Sequence, residues 1–273
     1  MNKLKIFIIN HRYYFISLIL LLLIDAINIS YELKGCKLLR PYANYIISFF
    51  FQFTEDNIGI GFSVVRILII MFGSTYEFYN EISSGLYKNI LSKIAYRKYM
   101  FKNICKCFLK SILLKPFTSI IVLVYLFLKL PINFSDMIIG IDIEPLSKGE
   151  LINGFLITIA IQIVVSMLLT SITIICIKLF KKYYMVISSA YFIFEICDVF
   201  IDNLIINKII YALDTSNLFD HRANHSMFIG IFNSYPMKDD VVLLIAMSIQ
   251  LITSFLICYI IYRNKESLVL SNE

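Results

Sequence analysis

The chain has 273 residues, 59% of them hydrophobic and 16% charged, and its mean hydropathy is +0.78. That composition lies outside the range of soluble globular domains and reads as an integral membrane protein. A formal charge of +6 does not point to nucleic acid, because the bases flank apolar segments on one side of the expected bilayer, where the positive-inside rule accounts for them.

In chain order, residues 1–12 set Lys3, Lys5, His11 and Arg12 around Ile6 to Ile9, the pattern of a short interfacial helix or a basic tail. The first apolar run is too long for a cleavable signal and lacks a small-residue cleavage site, so it reads as a retained span. Six spans are predicted, at about 13–30, 58–76, 111–130, 151–177, 183–206 and 241–262, each near the length a bilayer core requires. The aromatic run from Tyr42 to Phe53 is too short to cross and is placed in the outer headgroup layer. Residues 129–150, with Asp136, Asp142, Glu144 and Glu150, are placed outside; Lys178, Lys181, Lys182, Arg263 and Lys265 are placed in the cytosol, with both termini. The expected fold is an all-α, single-domain membrane protein. No disulfide scaffold is expected, because Cys36 alone of the six cysteines falls in an external segment.

Polar residues inside the spans form the next layer. Span two carries Gly59, Gly61, Ser63 and Gly73, which permit close helix approach, and span four carries Thr158, Gln162, Ser166, Thr170 and Thr173, a stripe suited to helix packing. On span five, Ser188, Tyr191, Glu195, Asp198 and Asp202 fall within an arc of about 80° at 100° per residue. An acid facing lipid at mid-bilayer costs about 2.5–3.5 kcal/mol, so this stripe should face protein or a water-filled route. Asp25 and Arg66 lie at similar depths and have the positions of a pair, with Glu195 a competing partner for Arg66. Two readings stand side by side: charges that neutralise one another inside the bundle, or a route of negative potential favouring cationic groups. His221 and His225, with Asp220 beside them, have a metal-pair spacing but no third ligand, and read as a solvated loop. No metal site is expected.

Between spans two and three runs a polar, basic stretch. From Gly85 to Lys102 it carries Lys88, Lys93, Arg97, Lys98 and Lys102 against no acid, with Glu77 and Glu81 just upstream. Acids before bases suit a helix macrodipole, and Leu86, Ile90, Ile94 and Phe101 recur at helical spacing. The prediction is one cytosolic helix over about 81–103, either a loop whose charge fixes topology or a docking surface for a soluble partner. The chain has no GxxxxGK[ST] phosphate cradle and no HExxH pattern. It is therefore not expected to be an enzyme, and any driving energy comes from a gradient or from another polypeptide.

Glu81-x-x-x-Gly85, Asn89-x-Leu91, Arg97 and Lys102, directly after the second of six spans, resemble the corresponding stretch of ABC-2-type transporter permeases. That family's run reads E-x-x-x-G-T-x-x-N-x-L-x-x-G-x-x-R-x-x-Y-x-x-x-K; here Leu86 stands at the usual Thr and Lys93 near the second Gly. The resemblance implies that two permease subunits pair, as a homodimer or with a related chain. It implies that each docks a cytosolic ABC ATPase, which carries the ATP and Mg, through a coupling helix with Glu77, Glu81, Gly85, Asn89, Leu91, Arg97 and Lys102. This chain itself would hold no cofactor. Asp25, Arg66, Tyr191, Glu195, Asp198 and Asp202 would line the route, since spans one, two and five face the partner subunit in that family. Size and organisation resemble the bacitracin-resistance and lantibiotic-immunity subgroup, which implies an amphipathic or cationic peptide as exported cargo. Two other readings are a gradient-driven transporter using the span-five acids, and a scaffold or sensor subunit that transports nothing.

Overall fold

The computed structural model describes residues 11–39, 60–86, 91, 94–129, 148–200 and 240–263. Among them are six helices and no strand: α1 (Arg12–Leu39), α2 (Ile60–Ser83), α3 (Tyr96–Lys129), α4 (Lys148–Leu179), α5 (Tyr183–Phe200) and α6 (Asp240–Ile261). Each overlaps one of the long apolar runs. Within α3 and α4, Tyr96–Tyr125 and Gln162–Leu179 are long and apolar enough to cross a membrane.

Interhelical contacts fix the direction of each helix. His11 meets Glu77 and Asp25 meets Arg66, so α1 and α2 are antiparallel. Glu81 meets Tyr99 while Glu77 meets Lys106 and Lys110, so α2 and α3 are antiparallel too. The short turn at 180–182 reverses α4 into α5, and Cys258 with Ser171 and Tyr262 with Ile174 set α6 parallel to α4. The helices thus alternate in direction. α2 packs against α1, α3, α4 and α5, α3 against α1, α2, α4 and α6, and α4 against α2, α3, α5 and α6, so these three form the centre of the bundle.

Apolar side chains lie on the outside of the bundle as well as in its core, and charged ones are buried among them. Ile19, Leu23, Leu113, Phe117, Phe192 and Ile252 are exposed, whereas Asp25, Arg66, Lys115, Gln162 and Thr170 are buried. A soluble surface seldom carries apolar residues this contiguously, and ionised groups are rarely buried unless paired. Inside α3, Pro116 removes one N–H from the ladder in the middle of the helix.

The basic stretch is not one helix, which corrects the expectation for 81–103. α2 runs on to Ser83 and stops at a left-handed Gly85 (φ 72°), whose N–H donates to the Ile82 carbonyl. Glycine takes that conformation without the Cβ clash that other residues meet. α3 then begins at Tyr96. The acids therefore end one helix and the bases begin the next, so no single macrodipole orders them. Asn89, the aromatic run, Asp136, Asp142, Glu144, Asp202 and the His221–His225 pair lie outside the described residues, as does the side chain of Asp198, while Glu150 falls in the first turn of α4.

Gly73 fixes how closely three helices meet. A Cβ there would lie 2.6 Å from Ser17 Cβ and 2.9 Å from Leu114 Cδ1, so Gly73→Ala should force α1 and α3 away from α2. The expected cost is about 1–3 kcal/mol, read as a lower melting temperature of the purified protein; Gly85→Ala, where open space surrounds the Cβ position, should cost only about 1 kcal/mol through backbone strain.

Candidate functional site

Two charged clusters lie along α2, separated by the eleven residues from Arg66 to Glu77, about 16 Å at helical rise. The deeper one joins three helices. Arg66 Nη2 is 3.3 Å from Asp25 Oδ1 and Lys115 Nζ is 3.5 Å from Asp25 Oδ2, with all three side chains under a tenth exposed. The expected Asp25–Arg66 neighbours are thus in contact, and Lys115 joins them. Lys115 falls near the start of the predicted third span, with no partner assigned to it there; α3 begins nineteen residues earlier and places it in mid-helix. Its polar neighbours at helical spacing, Ser111, Thr118 and Ser119, are all buried and were the available signal.

The second cluster lies at the opposite end of α2. Glu77 accepts from Lys106 Nζ at 3.2 Å, from Lys110 Nζ, and from His11 Nδ1 at 3.2 Å. One turn on, Glu81 accepts from the Tyr99 hydroxyl at 2.8 Å and from Asn103 Nδ2 at 3.1 Å. Burial pushes the Glu77 carboxyl up, but the ammonium groups of Lys110 and Lys106 outweigh it and hold the group below its ordinary 4.5. A small cleft beside them is lined by Ser74, Glu77, Glu81, Asn103, Lys106 and Lys110. Glu77 and Glu81 are therefore turned inward to fasten α2 to α3 and α1, instead of being presented outward with the bases.

The remaining site candidates separate by exposure. Arg97, Lys98 and Lys102 are exposed on the first turns of α3, beside exposed Leu86 and Phe101, while Leu91 is half-buried against the core. No acid sits in the first turn of α3 to offset those bases, a placement that the helix dipole disfavours by about 0.3–1 kcal/mol per charge. On α5, Glu195 is half-buried and hydrogen-bonded to Tyr191 one turn earlier, flanked by exposed Phe192 and Ile196. Of the stripe's described residues, Ser188 is exposed and Tyr191 and Glu195 are half-buried, and the Arg66 contact goes to Asp25.

Along α4 the polar stripe divides. Thr170 donates to Ser74 at 3.0 Å across to α2, as packing predicts, whereas both amide atoms of Gln162 and the hydroxyl of Ser166 are buried with no hydrogen-bond partner among the described residues. Around the Glu77 end, Tyr13, Phe72, Tyr76, Tyr79 and Tyr183 form a belt of ring contacts at 4.3–5.9 Å, and Tyr79 donates to the Lys181 carbonyl at 2.6 Å.

A carboxylate held below its ordinary pKa contributes stability above that ordinary value and loses it as pH falls through the lower folded value. Thermal stability should therefore drop as pH falls below about 4.5, and Glu77→Gln should flatten that acid limb. At neutral pH the same substitution should cost about 1–3 kcal/mol, because two ammonium groups lose their shared, half-buried partner. A melting series across pH for the two proteins reads both effects.

Compared with protein-family models, with curated proteins and with solved structures, the chain matches none.

Proposed function

We propose that this chain is a multi-pass membrane permease subunit whose six helices cross the bilayer with both termini in the cytosol. In this reading it pairs with a second permease subunit and is driven by a separate ABC-type ATPase to export an amphipathic or cationic peptide. The support for the bilayer is the many large apolar side chains exposed on the helices, with the Asp25, Arg66 and Lys115 charges closed on one another within. The tyrosine belt around the Glu77 end fits a headgroup layer on the cytosolic side.

One observation carries the coupling step. The exposed bases Arg97, Lys98 and Lys102 sit at a helix start that gains nothing from them electrostatically, yet that start is fastened to α2 through Glu81 with Tyr99 and Asn103. A partner with an acidic groove would offset the charge, and any displacement it imposed on Tyr96–Asn103 would pass directly to α2 and Arg66. In this reading the docking element includes the basic end of α3, which begins at Tyr96 after the chain leaves α2 at Gly85. Chemistry on the nucleotide belongs to the partner.

Arg97→Glu with Lys102→Glu should weaken co-purification of an ABC-type ATPase from the same organism by more than about tenfold, since like charges facing each other cost several kcal/mol. Both side chains are exposed and the helix dipole favours acids at a helix start, so the melting temperature of the permease should not fall. Retention of the ATPase by the folded variant would remove this surface from the interface.

A further inference from the structure

We infer that α1–α4 enclose a hydrated polar column leading from the Glu77 end of the bundle to the Asp25 carboxylate, with ordered water as its ligand. The primary observation is Gln162, 1% exposed, whose amide oxygen and nitrogen both lack a hydrogen-bond partner among the described residues; the hydroxyls of Ser17, Ser111, Ser119 and Ser166 are equally buried and equally unpartnered there. Buried polar groups are nearly always satisfied, and in a low-dielectric interior an unsatisfied one is costly. A dry helical bundle has no reason to gather five such side chains on facing helices.

Helix register puts them in order. Gly73 lies against Ser17 and Leu114, and Ser74 bonds Thr170, which sets a common level for α1, α2, α3 and α4. Counted from that level at about 1.5 Å per residue, Asp25, Arg66, Ser119 and Gln162 fall within about 5 Å of one another in depth. Below them come Ser166, then Ser17 and Ser74, then Ser111, then the cleft lined by Glu77, Asn103 and Lys110. No axial step in this series exceeds about 5 Å, and the side chains follow one another from α4 through Ser74 of α2 to α1 and α3. Water in the column satisfies the orphaned donors and acceptors and raises the dielectric around the Asp25 cluster. It also gives that carboxylate contact with the solvent at the Glu77 end.

The inference rests on the bilayer reading but not on the ATPase, and its test uses the permease alone. In a full-length protein with its six cysteines replaced, single cysteines at Ser119 and Ser166 are compared with cysteines at the exposed apolar positions Phe117 and Ile120. The protein is reconstituted in phosphatidylcholine vesicles and labelled with a hydrophilic methanethiosulfonate. Ser119→Cys and Ser166→Cys should react more than about tenfold faster than the other two, because reaction needs thiolate and thiolate needs water. Rates equal to the slow rates of Phe117→Cys and Ile120→Cys would overturn the column. Fast labelling at Phe117 and Ile120 would instead contradict the bilayer reading and leave the column to the second variant. Gln162→Leu keeps the volume and removes the amide, so in a dry interior it raises the melting temperature. A hydrated column predicts no rise; a rise overturns it.

Discussion

The contact on which the bundle depends is the one carboxylate of Asp25 shared between Arg66 and Lys115. Each of these groups alone would be costly to bury, and each is buried. They come from three different helices, so α1, α2 and α3 cannot separate without exposing an uncompensated charge to an apolar environment. Close approach at Gly73 makes the arrangement geometrically accessible, since any Cβ at that position would push α1 away from α2.

A second ionic hub at Glu77 and Glu81 holds the same helices about 16 Å away along α2. Two attachment points on one pair of helices make α2 and the first half of α3 a single stiff unit. In the proposed transport cycle this has a consequence for coupling: movement imposed on the exposed bases of α3 is not absorbed in a flexible loop, because Tyr99 and Asn103 grip Glu81 directly. In that cycle the deeper cluster moves with the docking surface.

The helices were legible because an apolar run long enough to cross a bilayer has few alternatives, and the Asp25–Arg66 contact was legible from depth alone. Other features were hidden for physical reasons. Lys115 lies near the start of the predicted third span, and hydropathy locates apolar runs and not helix starts; the early start at Tyr96 places it in mid-helix. The acids and bases between residues 77 and 102 share a sequence neighbourhood but belong to two helices, and the clue was the Ser83-Ser84-Gly85 stop. Gln162 and Thr170 look alike in a helical stripe, yet among the described residues Thr170 finds a partner and Gln162 does not. That difference depends on which residue stands opposite, which periodicity does not encode.

The central claim is that the buried charges are retained because they close on one another. A double-mutant cycle of Asp25→Asn and Arg66→Gln, read by thermal unfolding of the full-length protein in detergent, tests it most directly. The account predicts that either single change costs about 3–5 kcal/mol and that the double change costs clearly less than their sum, with a coupling of at least about 1 kcal/mol. Additive losses, or single variants as stable as the parent, would show that the two charges do not depend on each other.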